Sequence, residues 1–216
     1  MASHRDILEV LLNRVELAEH GGTRRAPTRH LVLVSLVWPR PTIAERTAVK
    51  DLALDGTAAD LSGKSWTTRV LFKETVQGPL GIKVDVTAPV TESEVAEFLR
   101  FLGSSVLDLA GDELAGSIIS PFLAGLVRVP ARYAGKWITA SGKKSLRIVA
   151  SGHVDIGTEQ PGGKDGATVD VALVAPERIA RVTRSASHGS VKTRRRTLLK
   201  KGDPNGRVLL GLRRYR

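Results

Sequence analysis

No cysteine occurs in the 216 residues, which excludes a disulfide framework, a thiolate zinc site and a cysteine nucleophile and agrees with a reducing compartment. Aromatic residues make up 4% of the chain against 42% hydrophobic residues overall, so the core must be built from Leu, Val, Ile and Ala. The most apolar long window, Phe98 to Val127, still holds Arg100, Asp108, Asp112 and Glu113. Each charge at a bilayer centre costs about 2.5–3.5 kcal/mol, so this window predicts no spanning helix. Met1 to Asp6 is not followed by the apolar segment of a signal peptide. The expectation is a soluble, cytoplasmic protein of one domain with an appended segment.

The scarcity that says most is of acid near the carboxy-terminal end. Residues Arg178 to Arg216 contain 13 Lys or Arg and one acid, Asp203; the rest of the chain has 20 bases and 21 acids. A nearly neutral body therefore carries a strongly cationic end. Soluble domains usually intersperse the two signs, so a block of one sign points to a polyanionic partner. Within the block Arg outnumbers Lys ten to three, which suits planar, bidentate contact with phosphate or carboxylate. Tyr215 is its only aromatic, so stacking on single-stranded bases is poorly provided for.

The pattern of apolar residues predicts a mainly β protein, either an antiparallel sandwich or a two-layer α+β domain. Residues 1–22 read as an amino-terminal helix: Ser3 and Asp6 resemble a capping box, Leu8, Leu11, Leu12 and Val15 follow helical spacing, and Gly21-Gly22 ends it. A β-rich body spans 30–176. Leu31 to Trp38 is a continuous apolar run, as in a strand buried on both faces. Trp66 to Val76 and Leu80 to Val86 read as two strands of a hairpin around Gln77-Gly78-Pro79, with Leu80, Ile82, Val84 and Val86 on one face. After Pro89 the period becomes helical. Thr91 and Glu94 form a capping box, and a helical insertion is expected at about 92–124. A second hairpin is expected from Leu146–Ile156 and Ala167–Val174. The basic segment, 177–216, is expected to form its own two-stranded ribbon, Val191–Leu199 with Arg207–Tyr215, around the turn Gly202 to Gly206 and behind a hinge at Arg184–Ser190.

Chemical motifs are few. Ala58 to Ser65 fits a permissive phosphate-binding loop in which Gly63, Lys64 and Ser65 would contact a nucleotide. Such a loop needs a strand before it and a helix after it, whereas Trp66 to Val76 reads as strand, so a turn with a solvated lysine accounts for the same residues. His153 and Asp155 share a strand face and have the spacing of a base and its orienter, but no serine sits in a nucleophile elbow beside them. The five histidines, His4, His20, His30, His153 and His188, show no metal-ligand spacing. No catalytic residue, metal or cofactor is predicted.

The reading is a non-enzymatic binding or assembly module. Arg194, Arg195, Arg196, Lys200, Lys201, Arg213, Arg214 and Arg216 are its candidate contacts to a polyanion, either a nucleic-acid backbone or an acidic protein surface. The alternatives are a peripheral binder of anionic membranes and a nucleotide-binding enzyme using Lys64 and Ser65.

Overall fold

Alternating apolar residues along most of the chain impose extended structure, and strands dominate the computed structural model. It describes residues 6–21, 28–39, 45–98, 126–130, 146–157, 166–187 and 190–215, with backbone alone for 126–130, 182–187, 190–192 and 195. The elements are β1 (Asp6–Glu16), β2 (Thr28–Val37), β3 (Arg46–Leu54), β4 (Ala58–Asp60), α1 (Trp66–Arg69), β5 (Val70–Val76), β6 (Leu80–Thr87), α2 (residues 92–98), β7 (Leu126–Pro130), β8 (Ile148–Ile156), β9 (Ala167–Val174), β10 (Ile179–Ser187), β11 (Ser190–Leu199) and β12 (Pro204–Tyr215).

Ten strands form one antiparallel sheet in the order β4-β1-β12-β9-β8-β6-β2-β3-β7, with β5 beside β4 on the outer edge of β1. The sheet curls into a nearly closed barrel rather than the two stacked layers of a sandwich. The barrel closes where β3, next to the last strand at one end, turns into β4 at the other: Asp55 N–H donates to Ala58 O at 2.9 Å and Ala58 N–H to Asp55 O at 3.2 Å. Leu17 N–H then bonds Thr57 O at 2.8 Å, fastening this turn beside the end of β1. Further along the seam, Arg46 of β3 forms an ion pair with Glu74 of β5.

The core fills the barrel with side chains at every second position: Leu8, Val10 and Leu12 of β1, Val32, Val34 and Leu36 of β2, Ile82, Val84 and Val86 of β6, and Val208, Leu210 and Leu212 of β12. The face expected for β6 is the buried one. β2 is buried on both faces as its unbroken apolar run predicts, Leu31 and Leu33 being 1% and 3% exposed. α2 begins at the outer side of β2: Val90 N–H donates to Arg29 O and Arg29 Nη1 binds Glu92 at 2.7 Å. The capping box forms, with Thr91 N–H to Glu94 Oε2 at 2.7 Å and Glu94 N–H to Thr91 Oγ1 at 3.3 Å. Residues 99–125, the remainder of the expected insertion, lie outside the described residues.

Five expectations need correction. The amino-terminal helix is instead strand β1. Leu8, Val10 and Leu12 point inward at period two, and a bulge between Leu12 and Arg14 returns Val15 to the inside. Leu11, on the other face, is also buried, at 5% exposure. A bulge together with burial on both faces thus reproduces helical spacing in a strand. Trp66–Arg69 is one helical turn, not strand, and packs on β1, with Trp66 Nε1–H donating to Glu9 Oε1.

The hairpin predicted around Gly78 does not pair with itself. β5 pairs with β1, while both edges of β6 are taken by β2 and β8. Arg214 Nη2–H donates to Gly78 O at 3.4 Å, pinning the connection as a corner. β8 and β9 pair in register only at Ser151 and Val174. Gly152 is required at that crossing, because a Cβ there would lie 2.2 Å from Ala172 O. Finally, β11 does not pair with β12. It pairs with β10, and β12 lies in the barrel between β1 and β9.

Candidate functional site

β10 and β11 form a separate two-stranded sheet. Its root is apolar: Ile179 is buried in the barrel core and Leu198 and Leu199 are half-buried against it. Ser187 faces Ser190 at the far end, so the segment expected to be a hinge forms the end of β10 and the start of β11. Over 179–199 the sequence has six bases, Arg181, Arg184, Lys192, Arg194, Arg195 and Arg196, and no acid. Thr193, Arg194, Arg196 and Thr197 are all exposed. Since neighbouring strand residues point to opposite faces, both faces of the ribbon stand clear of the barrel here.

Register sorts the bases. Arg181 lies opposite Arg196, Thr183 opposite Arg194 and Ser185 opposite Lys192, which puts Arg181, Lys192, Arg194 and Arg196 on one face. The other face holds Val182 opposite Arg195, Arg184 opposite Thr193 and Ala186 opposite Val191. Arg181, Arg194 and Arg196 are exposed, and among the described residues no acid forms an ion pair with them. Arg181 was not among the contacts singled out from sequence. Only the pairing of β11 with β10 brings it to Arg196.

The remaining predicted contacts divide into two groups. Lys200 and Lys201 are exposed in the turn at the ribbon's root. That turn is held by Lys200 N–H to Asp203 Oδ2 at 2.7 Å and by Gly202 N–H to Ala175 O at 2.8 Å. The bases of β12 face acids of its neighbours. Arg213 lies 3.7 Å from Glu9. Arg214, its side chain 8% exposed, bonds Asp6 at 2.8 Å and also reaches Gly157 O. Arg207 bridges Glu16 at 2.6 Å and Asp170 at 3.5 Å, and its hydrogen bond holds the Glu16 carboxyl below the usual carboxylate range. Arg216 lies outside the described residues. The cationic end is therefore two structures: a paired strand inside the barrel wall and a ribbon without described counter-charges.

The loop at Gly63, Lys64 and Ser65 follows β4, a three-residue strand, and precedes the single turn of α1. Lys64 N–H caps Leu61 O at 2.9 Å, Ser65 Oγ is bonded to Thr68 Oγ1 at 2.8 Å, and Arg69 Nη1–H donates to Ser62 O. These bonds satisfy a surface turn, and the long strand and helix that frame a phosphate cradle are not there. His153 and Asp155 do share a face, on an open groove of about 680 Å³ with Lys83, Ser151 and Val174. His153 pairs in register with Lys83, whose Nζ is 2.8 Å from Asp85, and Ser151 Oγ–H donates to the same carboxylate at 2.6 Å. The serine hydroxyl is thus committed to Asp85 rather than to the histidine.

Among the described residues, no cluster of His, Asp or Glu could hold a metal ion, and no helix is long and apolar enough to cross a membrane. Compared with family models and with curated proteins, the sequence matches neither any family nor any individual protein.

Proposed function

We propose that the chain is a non-enzymatic binding module that docks its β10–β11 ribbon on the phosphates of a nucleic acid. The observation that carries this reading is the division of the basic end. The β12 arginines have carboxylate partners in the barrel, while Arg181, Arg194 and Arg196 stand exposed on an acid-free ribbon. Six like charges on a small ribbon repel one another, and a polyanion relieves that repulsion by releasing its own counterions. A membrane site would add exposed apolar anchors. Among the residues whose side chains are described, the exposed large hydrophobics are Trp66 in α1 and Val174 at the end of β9, neither of them in β10 or β11.

The test is binding of the purified chain to labelled duplex and single-stranded oligonucleotides, poly-glutamate and anionic vesicles between 50 and 200 mM salt. The expected result is nucleic-acid binding whose logarithm of affinity falls linearly and steeply with the logarithm of salt concentration. Binding to vesicles or poly-glutamate alone would show that the ribbon serves a different anion.

A further inference from the structure

The register of the ribbon carries a sharper statement, which rests on the nucleic-acid reading above. We infer that the ribbon enters the major groove of duplex DNA with one face, that of Arg181, Lys192, Arg194 and Arg196, turned towards the base edges.

The two faces differ in kind. Register assigns four bases to the first face, with Thr183, Ser185, Ser187 and Ser190, and two to the second, Arg184 and Arg195, with Ala180, Val182, Ala186, Val191, Thr193 and Thr197. Arginine and lysine donate to guanine O6 and N7, and serine and threonine can bond any base edge, so the first face has the groups that major-groove contact requires. Dimensions agree. Nine residues of β10 extend over about 30 Å, and two strands about 4.8 Å apart with their side chains fit a groove about 12 Å wide. Along β11, Arg196, Arg194 and Lys192 recur at steps of about 7 Å.

Charge placement points the same way. Arg181 directly opposite Arg196 is an unfavourable cross-strand pair in the free protein. Electronegative guanine edges and flanking phosphates between the two guanidinium groups remove that penalty. The segment 179–199 contains no aromatic residue, so it lacks the stacking platform of a single-strand binder. The major groove of duplex RNA is too deep and narrow for side chains to read. B-form DNA is the form that the face fits.

Three variants of the full chain test this: R181A/R194A/R196A, R184A/R195A, and the charge-preserving R181K/R194K/R196K. Affinities for 20-base-pair duplex DNA, duplex RNA and single-stranded DNA are measured by anisotropy, and guanine N7 protection from dimethyl sulfate by footprinting. Circular dichroism and a thermal melt check that each variant folds. The first variant is expected to lose at least about 30-fold in affinity for duplex DNA, together with its N7 protection. The second should stay within about threefold of the parent, beyond the small non-specific loss that any removed charge brings. The lysine variant should keep the salt slope but weaken N7 protection, because a flexible ammonium replaces the planar, pre-organised fork of the guanidinium. Equal losses in the first two variants, no N7 protection by the parent, or equal affinity for duplex RNA would overturn the one-face, major-groove inference and leave the nucleic-acid reading standing. If the parent bound no nucleic acid even at 50 mM salt, that reading would fall and the inference with it.

Discussion

His30 is fully buried, donating through Nδ1 to Thr87 O at 2.8 Å and accepting at Nε2 from the Thr28 hydroxyl at 2.8 Å. Burial pushes its pKa below the ordinary 6.5; the bond to Thr87 opposes the shift, and the His20 ring, 5.8 Å away, adds to it. The unfolded chain takes up this proton near pH 6.5, whereas the folded chain takes it up only at lower pH. In that window the unfolded state binds more protons, so stability is complete above about pH 6.5 and falls as the solution is acidified. Thermal melts should show a constant Tm from pH 8 to 7 and a decline below 6.5, and His30→Gln should flatten that decline.

Asn205 is equally committed. Its Oδ1 accepts from Glu19 N–H at 2.8 Å, and Nδ2 donates to Glu19 O at 3.0 Å and Val149 O at 2.7 Å. Asn205→Ala strands three backbone groups and should cost about 2–4 kcal/mol in urea unfolding. At Gly206, φ is +116° and a Cβ would lie 1.9 Å from Glu16 O. Gly206→Ala should therefore cost roughly 2–3 kcal/mol or more, from overpacking and backbone strain together. Lys50 is another residue whose place only the fold reveals. It is 3% exposed and paired in register with core residue Val32, and burial lowers its pKa.

At the scale of elements, the ribbon and the barrel separate. Ile179, Leu198 and Leu199 tie the ribbon to the core, and beyond them β10 and β11 pair with each other. Joining Ala180 to Thr197 through Asn-Gly, a sequence suited to a tight hairpin turn, should shift the barrel's Tm by less than about 3 °C. It should also abolish salt-dependent nucleic-acid binding. A melt and an anisotropy titration on the same sample test both. Individual strands were largely legible from sequence: the double-sided burial of β2, the inward face of β6 and the capping box at Thr91 all follow from local pattern. Their partners were not. Gly78 looks like a hairpin turn because both flanking strands are well formed, yet which strand meets which depends on how the barrel closes. The same ambiguity hid Arg181, since Val191–Leu199 is a credible partner for Arg207–Tyr215 until β1 and β9 occupy both edges of the latter.

Over the whole molecule, charge is distributed by that closure. β12 passes between β1 and β9 and meets Asp6, Glu9, Glu16 and Asp170, so its arginines complete the barrel wall. Arg207→Ala and Arg213→Ala should accordingly leave affinity for duplex DNA within about twofold, measured beside the ribbon variants, because their charge already faces acids in the fold. The sequence alone determined a β-rich chain with an aliphatic core and a cationic end, because strand period, aromatic content and charge are local or additive properties. Tertiary structure decided that the sheet is a barrel and that β1 is a strand. It also divided the cationic end between the barrel wall and the free ribbon. Those outcomes depend on which edges pair across long separations in the chain, and a bulge or a two-sided burial can erase the period that would have announced them.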